Sequence, residues 1–369
     1  MLKEIHRIPC TPALAACQRL MKCFALWLCQ PSTNAESITQ NGLQPPISPS
    51  AIEANWLWQF LQRTESEIAL LDRARNVANM SAPRKFLLSA WIQDVSALPA
   101  QFQPTPGNWP AEKPPIPALS WNAFKVLMQA FYKKGLNSAS GIPYLPNGTP
   151  VADGGLTYLA FVQGFRDTHR LNPDPNAREV CVLCGGPLGE SPEVDHWIAQ
   201  SGVPLFSVCS DNLLPTCGTC NSTTNKGEKD VHDGGSFANW FHPYLRAANG
   251  ALTLGYDLLS RRVTCTAAQE IDQPKVENLN HLLNLRDRWT REFKNEYVDQ
   301  QNVLRRREQI RIQNGQPRHT QAEVLQYLRQ MQADLVPSKP HYEVHQVLCA
   351  TMLETARLAA WQTELDLVQ

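Results

Sequence analysis

Two pairs of closely spaced cysteines are the residues in this sequence best suited to chemistry. Cys181 and Cys184 form one Cys-x-x-Cys turn, and Cys217 and Cys220 form a second. Thiolates from two such turns, brought together by the fold, make the tetrahedral sulfur set that holds a structural Zn²⁺ ion. The spacing therefore predicts a zinc site with four cysteine ligands.

The segment around the second turn carries polar residues that suit metal-assisted hydrolysis. Asp195 and His196 are adjacent, and Asn221 directly follows Cys220. A histidine titrates near neutral pH, so His196 can accept a proton from water. The carboxylate of Asp195 and the amide carbonyl of Asn221 are hard oxygen ligands of the kind that Mg²⁺ prefers. An activated water beside a divalent cation is what phosphodiester hydrolysis requires.

The order of these motifs resembles that of zinc-stapled HNH endonucleases, the ββα-metal or His-Me finger group. The shared pattern is Cys-x-x-Cys, Asp-His, Asn-Leu, Cys-x-x-Cys-Asn and a later Lys-Gly, all within residues 181–229. The resemblance implies a small ββα-metal core with a structural Zn²⁺ ion and a catalytic Mg²⁺ or other divalent cation. It implies that His196 is the general base, that Asp195 and Asn221 hold the catalytic cation, and that Asn212 pins the loop and orients the His196 ring.

Three positions leave alternatives open. HNH proteins usually have two residues between this asparagine and the lysine, whereas four residues separate Asn221 from Lys226. Asn225, one helical turn beyond Asn221, is therefore an alternative or additional Mg²⁺ ligand. Lys226 is expected to face phosphate, with a solvated lysine as the alternative. His242, in a His-Pro-Tyr sequence, either reaches the phosphate or the metal or has a structural role.

The adjacency of Asp195 and His196 constrains the element that positions them. Neighbouring residues on a regular strand point to opposite faces, so this pair serves one site only at a strand end or an irregular turn.

Elsewhere, apolar periodicity and capping residues predict mostly helices. These are expected over 13–28, from Ser50 through Leu71, from Ser120, over 156–169, along a stripe at 282–297, from Thr320 and over 342–365, with a β-hairpin at 251–266.

We therefore expect a mainly helical α+β protein in which a small ββα-metal HNH core with zinc knuckles lies between two largely helical regions. The expected segments are an N-terminal helical region (1–97), a proline-rich linker (98–119), a helical segment leading into the core (120–175), the HNH core (176–250), and a hairpin with C-terminal helices (251–369).

The amino-acid composition limits the classes of function that this protein can have. The chain has 369 residues, with 34 basic and 34 acidic side chains, so nucleic-acid binding must come from local patches. No Gly-x-x-x-x-Gly-Lys-Ser/Thr loop is present, so no nucleotide-hydrolysing motor is expected. Scattered additional cysteines fit a reducing compartment, and no apolar stretch is long enough for a signal peptide or a membrane span. We therefore expect a cytoplasmic protein without a membrane partner.

These features predict a metal-dependent HNH endonuclease whose substrate is DNA. The layout also resembles effectors of bacterial anti-phage defence, which implies a separate ATPase or sensor subunit as a partner. Two alternatives remain. One is an RNA-cleaving toxin of the same fold, and the other is a non-catalytic, zinc-stabilised nucleic-acid-binding or scaffold protein.

Overall fold

The protein is mainly helical, with small antiparallel sheets. The computed structural model describes residues 5–103, 106, 109–110, 112–170, 179–190, 193–248 and 250–366. Within these residues each sheet has two strands, which agrees with the predicted α+β class. The chain divides into an N-terminal unit, Ile5–His169 with Ser191–Ala247, and a C-terminal unit, Arg170–Glu190 with Ala248–Gln369. In the described ranges, no helix combines the length and the hydrophobicity that a membrane crossing needs.

Helices build most of the N-terminal unit. Its first helix is α1 (Thr11–Leu28), and side chains such as Leu14, Leu20 and Phe24 on this helix are fully buried. The helix predicted over 13–28 is thereby confirmed. The other elements are α2 (Ala51–Leu61), β1 (Thr64–Glu65), β2 (Ile68–Ala69), α3 (Leu70–Ala78), α4 (Ala82–Ser96), α5 (Ala118–Ala130), α6 (Tyr158–His169), β3 (Glu193–His196), β4 (Leu213–Thr216) and α7 (Gly218–Asn221).

The helix predicted from Ser50 begins there but is shorter than expected. The Ser50 hydroxyl accepts a hydrogen bond from the Glu53 N–H at 3.3 Å, which caps α2. The helix ends at Leu61, and the chain reverses through the β1–β2 hairpin. Residues 66 and 67 adopt φ angles of +52° and +64° in that turn. Ile68 therefore lies on a strand and does not extend the apolar stripe of α2.

The proline-rich stretch 98–119 begins and ends in helical structure, which its composition does not predict. Leu98–Phe102 forms a short 3-10 helix, a tighter turn that accommodates a proline in its first positions. α5 begins at Ala118, two residues ahead of the predicted start at Ser120. Pro117 precedes it with a φ of −55°, close to the helical value, which prepares the backbone for the first turn.

The C-terminal unit combines one hairpin with a group of helices. The hairpin is β5 (Leu252–Asp257) with β6 (Arg262–Ala267), which confirms the hairpin predicted at 251–266. The helices are α8 (Gln273–Leu283), α9 (Leu285–Gln313), α10 (Gln321–Ala333), α11 (Tyr342–Met352) and α12 (Thr355–Asp366). α8, α9 and α11 pack on the hairpin, and α10, α11 and α12 pack on one another.

Two long helices predicted in this unit are each interrupted. The stripe at 282–297 is divided between α8 and α9 because Asn284 takes a left-handed φ of +50°, which asparagine tolerates better than most residues. The helix predicted over 342–365 is divided into α11 and α12. The capping box at Thr320 is confirmed: its hydroxyl accepts from the Glu323 N–H at 3.3 Å, and the Glu323 carboxylate accepts from the Thr320 N–H at 2.7 Å.

Candidate metal and catalytic site

Backbone hydrogen bonds fix the first cysteine turn. The Cys181 N–H donates to the Gly186 carbonyl at 2.7 Å, and the Gly185 N–H donates to the Cys181 carbonyl at 2.8 Å. Gly185 has a φ of +72°, which glycine adopts without a Cβ clash. The Gly186 N–H lies 3.4 Å from Cys184 Sγ, a contact that favours the thiolate. Trp289, on α9, donates its indole N–H to the Cys184 carbonyl at 2.9 Å.

The short helix α7 shapes the second turn. Cys217 is its N-cap residue, and its carbonyl accepts the N–H groups of Cys220 at 2.9 Å and Asn221 at 3.2 Å. The Lys226 N–H closes the following loop onto the Cys220 carbonyl at 3.2 Å. One helical turn therefore sets the spacing of the two cysteines.

The four cysteines form a cluster that could hold a metal ion. The sulfur atoms of Cys181, Cys184, Cys217 and Cys220 all lie within 4.8 Å of one another. Tetrahedral Zn²⁺ with zinc–sulfur bonds of about 2.3 Å places its sulfurs about 3.8 Å apart, so the cluster has the right size. Cys181, Cys184 and Cys220 are buried, which limits competition from water. The predicted cysteine cluster is confirmed, and its sulfur donors fit zinc.

Asp195 and His196 lie at the end of a short hairpin. β3 pairs antiparallel with β4, with Asp195 opposite Leu214 and His196 opposite Leu213. His196 is the last residue of β3. The pair therefore stands at a strand end, the position in which adjacent residues can contribute to one site.

The His196 ring is held in one orientation. The ring is buried, its Nε2 lies 2.9 Å from the Ser207 carbonyl, and the Tyr132 ring stands edge-on to it at 4.8 Å between centroids. Since a carbonyl only accepts, Nε2 carries the proton and Nδ1 retains its lone pair. Burial lowers the pKa of His196 to about 4, although the bond to Ser207 opposes this shift. The ring is therefore a neutral base at neutral pH.

Asp195 is paired with a buried lysine. The Lys226 Nζ donates to Asp195 Oδ1 at 3.2 Å, to the His196 carbonyl at 2.7 Å and to the Gly227 carbonyl at 3.0 Å. Burial raises the pKa of Asp195, and the charge of Lys226 opposes that rise. The Lys226 side chain has no exposed surface. It is therefore neither solvated nor facing a phosphate, in contrast to both alternatives drawn from the sequence.

The second oxygen of Asp195 is a candidate cation ligand. Asp195 Oδ2 is buried and accepts no hydrogen bond from the residues that the structure describes. Glu193 lies two residues earlier on β3, on the same face as Asp195. Asn221 donates its side-chain amide to Glu193 Oε2 at 2.6 Å. Asn221 therefore lies beside the face of β3 that carries both carboxylates.

No family model, curated protein or solved structure matches this chain.

Asn212 holds together the loop that follows β3. Its Oδ1 accepts the Ile198 N–H at 2.7 Å, and its Nδ2 donates to the carbonyls of Ile198 at 2.9 Å and Phe206 at 3.3 Å. The residue is fully buried. Because Ser207 follows Phe206 directly, this amide also stabilises the backbone that orients the His196 ring.

Asn225 and His242 make local contacts. Asn225 is buried and donates its side-chain amide to the Thr219 carbonyl at 2.6 Å. The fully buried His242 accepts the N–H groups of Tyr244 and Leu245 at Nδ1, each at 3.3 Å. Burial lowers the pKa of His242 to about 3. This geometry fits the structural alternative for His242, because the ring closes its own turn.

Three residues at the site were not expected from the sequence. Glu193 contacts Asn221, Ser207 orients His196, and Tyr132 packs against the His196 ring. The spacing of Glu193 and Asp195, two residues apart on a strand, places both on one face and could have been recognised in the sequence. Ser207 acts through its backbone carbonyl and Tyr132 comes from a distant helix, so neither had a signal in the local sequence.

Proposed function

We propose that this protein is a metal-dependent nuclease of the HNH type, in which His196 is the general base of phosphodiester hydrolysis. The observation that best supports this function is the fixed orientation of a neutral His196 at the end of β3. The hydrogen bond from Nε2 to the Ser207 carbonyl, at 2.9 Å, leaves Nδ1 with the lone pair that accepts a proton. Asn212 supports this orientation by bracing the preceding backbone.

The carboxylate side of β3 supplies the second half of the proposed site. Asp195 Oδ2 lacks a hydrogen-bond donor among the described residues, and Asn221 and Glu193 lie on the same side of the strand. These residues would hold Mg²⁺. When bound, the ion would neutralise charge on the phosphate and on the leaving oxygen. Lys226 holds Asp195 in place, so we assign it a positioning role.

DNA is the proposed substrate class because the order of the motifs resembles that of DNA-cleaving HNH enzymes. The equal numbers of acidic and basic side chains predict weak binding to nucleic acid in general. A partner subunit that delivers the substrate, as in anti-phage effectors, is consistent with this balance. RNA is the alternative substrate and is tested alongside DNA.

One observation favours a second candidate, a non-catalytic zinc-stabilised scaffold. Lys226 is fully buried and already supplies a positive charge to Asp195. A carboxylate paired in this way can serve the fold alone. In that case the cysteine cluster and the buried ion pair would stabilise a surface that binds other molecules.

A nuclease assay separates the two candidates. Zinc-loaded full-length protein would be incubated with Mg²⁺ and supercoiled plasmid, single-stranded DNA or RNA. His196→Ala should lower turnover by roughly two to four decades while zinc content stays unchanged. His281→Ala, at an exposed histidine in the C-terminal unit, is the matched control and should cleave like the wild type. Equal cleavage by His196→Ala would contradict the nuclease, and a wild type inactive on every substrate would favour the scaffold.

A further inference from the structure

We propose that the C-terminal unit contains a second metal site, formed by Glu292, Glu296 and His345, which binds a divalent transition-metal ion such as Zn²⁺. One carboxylate oxygen from each glutamate and one imidazole nitrogen lie within 4.8 Å of one another. Two carboxylates and an imidazole are ligands that zinc accepts. This site contains no cysteine and does not depend on the nuclease function.

The helices place these ligands in a geometry suited to one ion. Glu292 and Glu296 are four residues apart on α9, so they share one helix face, and His345 comes from α11, which packs on α9. His345 Nε2 lies 3.1 Å from Glu292 Oε1 and 3.9 Å from Glu296 Oε2. Ligand atoms about 2.0 Å from a tetrahedral ion stand about 3.3 Å apart, which these two distances bracket. A hydrogen bond explains the first distance but not the second.

Burial keeps the His345 ring oriented towards the two glutamates. His345 is only 5% exposed, so its ring cannot turn out to solvent. Its Nδ1 has no hydrogen-bond partner among the described residues. The polar contacts of the ring therefore lie at Nε2, the nitrogen that faces both carboxylates. A nearly buried imidazole with this orientation is suited to be a metal ligand, or else a hydrogen-bonding partner of the glutamates alone.

The neighbouring charged groups do not fully neutralise the two carboxylates. Lys339 Nζ lies 3.3 Å from Glu296 Oε1, which offsets one of the two carboxylates. His341 Nε2 lies 3.8 Å from Glu292 Oε2, where it could serve as a fourth ligand. A metal ion at this position would supply positive charge beside the other carboxylate.

An ion can reach this position from solvent. A cleft of about 320 Å³ is lined by Glu296, Lys339 and His345. The bound ion would link α9 to α11, and its physical consequence would be a stiffer C-terminal unit. Zinc added after the cysteine cluster is filled should therefore raise the melting temperature further, because a ligand that binds only the folded state stabilises it.

Cobalt substitution distinguishes this site from the cysteine cluster. Thiolate-bound Co²⁺ shows intense charge-transfer bands, whereas Co²⁺ held by nitrogen and oxygen does not. In excess Mg²⁺, which occupies the oxygen site proposed at Asp195, full-length wild type should bind about two Co²⁺ ions, one at the cysteine cluster and one at Glu292, Glu296 and His345. Glu292→Gln and His345→Gln should each lose the ion without thiolate bands, with affinity reduced at least about 100-fold. Cys217→Ser should weaken only the thiolate bands, because three thiolates remain, and His281→Ala should keep both ions.

Two results would overturn the proposal. The first is a wild type that, in micromolar zinc, binds metal only at the thiolates and shows no further rise in melting temperature. The second is unchanged binding in Glu292→Gln. This variant decides the matter even if the His345 variant fails to fold, because the Glu292 side chain is 29% exposed and glutamine has its shape. A metal-free cluster of His345 with both glutamates would then be the correct description.

Discussion

Replacement of Lys226 by methionine tests whether the buried ion pair organises the site. Methionine keeps most of the apolar stem but removes the ammonium that donates to Asp195 and to the carbonyls of His196 and Gly227. Asp195 would then be a buried carboxylate without a positively charged partner, and its Oδ2 already lacks a hydrogen-bond donor among the described residues. Removing one partner of a buried ion pair lowers the free energy of unfolding by about 3–5 kcal/mol, so we expect Lys226→Met to lower it by about 4 kcal/mol.

The matched variant removes the charge of the partner. Asp195→Asn leaves Lys226 with its two carbonyl acceptors and should cost about 2 kcal/mol. The double variant, Lys226→Met with Asp195→Asn, should be more stable than Lys226→Met alone, because no buried charge remains. Urea unfolding at fixed zinc concentration, with equal m-values, measures these free energies and the coupling between the two residues.

The pH dependence of stability provides an independent test of the ion pair between Lys226 and Asp195. Without Lys226, burial and the charge of Glu193 are opposed only by the backbone hydrogen bond from His196, so the pKa of Asp195 in the folded state rises further above the value in the unfolded chain. Between those two values the folded state binds more protons, so stability increases as the pH falls. The deficit of Lys226→Met should therefore shrink from pH 8 to pH 5. A deficit below about 1 kcal/mol, or one that does not change with pH, would refute the buried pair as described.

Three further expectations concern single residues. Asn212→Ala removes hydrogen bonds to Ile198 and Phe206 and should lower the free energy of unfolding by about 2–4 kcal/mol in urea, with Asn212→Asp intermediate because it keeps one acceptor. Burial holds the pKa of His242 at about 3, so wild-type stability should fall as the pH drops below the unfolded value, by about 2 kcal/mol for this residue between pH 7 and pH 5. His242→Phe should lose that part of the acid sensitivity, and an unchanged pH profile would contradict it. Thr320→Ala should cost about 1 kcal/mol, because it removes the hydroxyl that caps α10.

Local features could be predicted from the sequence. The cysteine turns were recognised because a Cys-x-x-Cys spacing fits one turn of backbone, and each pair lies in such a turn. The cap at Thr320 and the β5–β6 hairpin followed from rules that act over a few residues. Helix interruptions such as the one at Asn284 were missed, because a left-handed residue can break a helix without disturbing the apolar periodicity around it.

Only the tertiary structure decided which polar groups meet. Lys226 pairs with Asp195 across 31 positions, and His345 meets Glu292 across 53. Periodicity reports which face of an element is buried, but it carries no information about the partner that a distant element brings to that face. Lys226, which the sequence predicted to face phosphate or solvent, is fully buried because packing around β3 excludes water and the adjacent carboxylate compensates its charge. The types and local spacing of the ligands were therefore set by the sequence, whereas their pairing and burial depended on the packing of elements far apart in the chain.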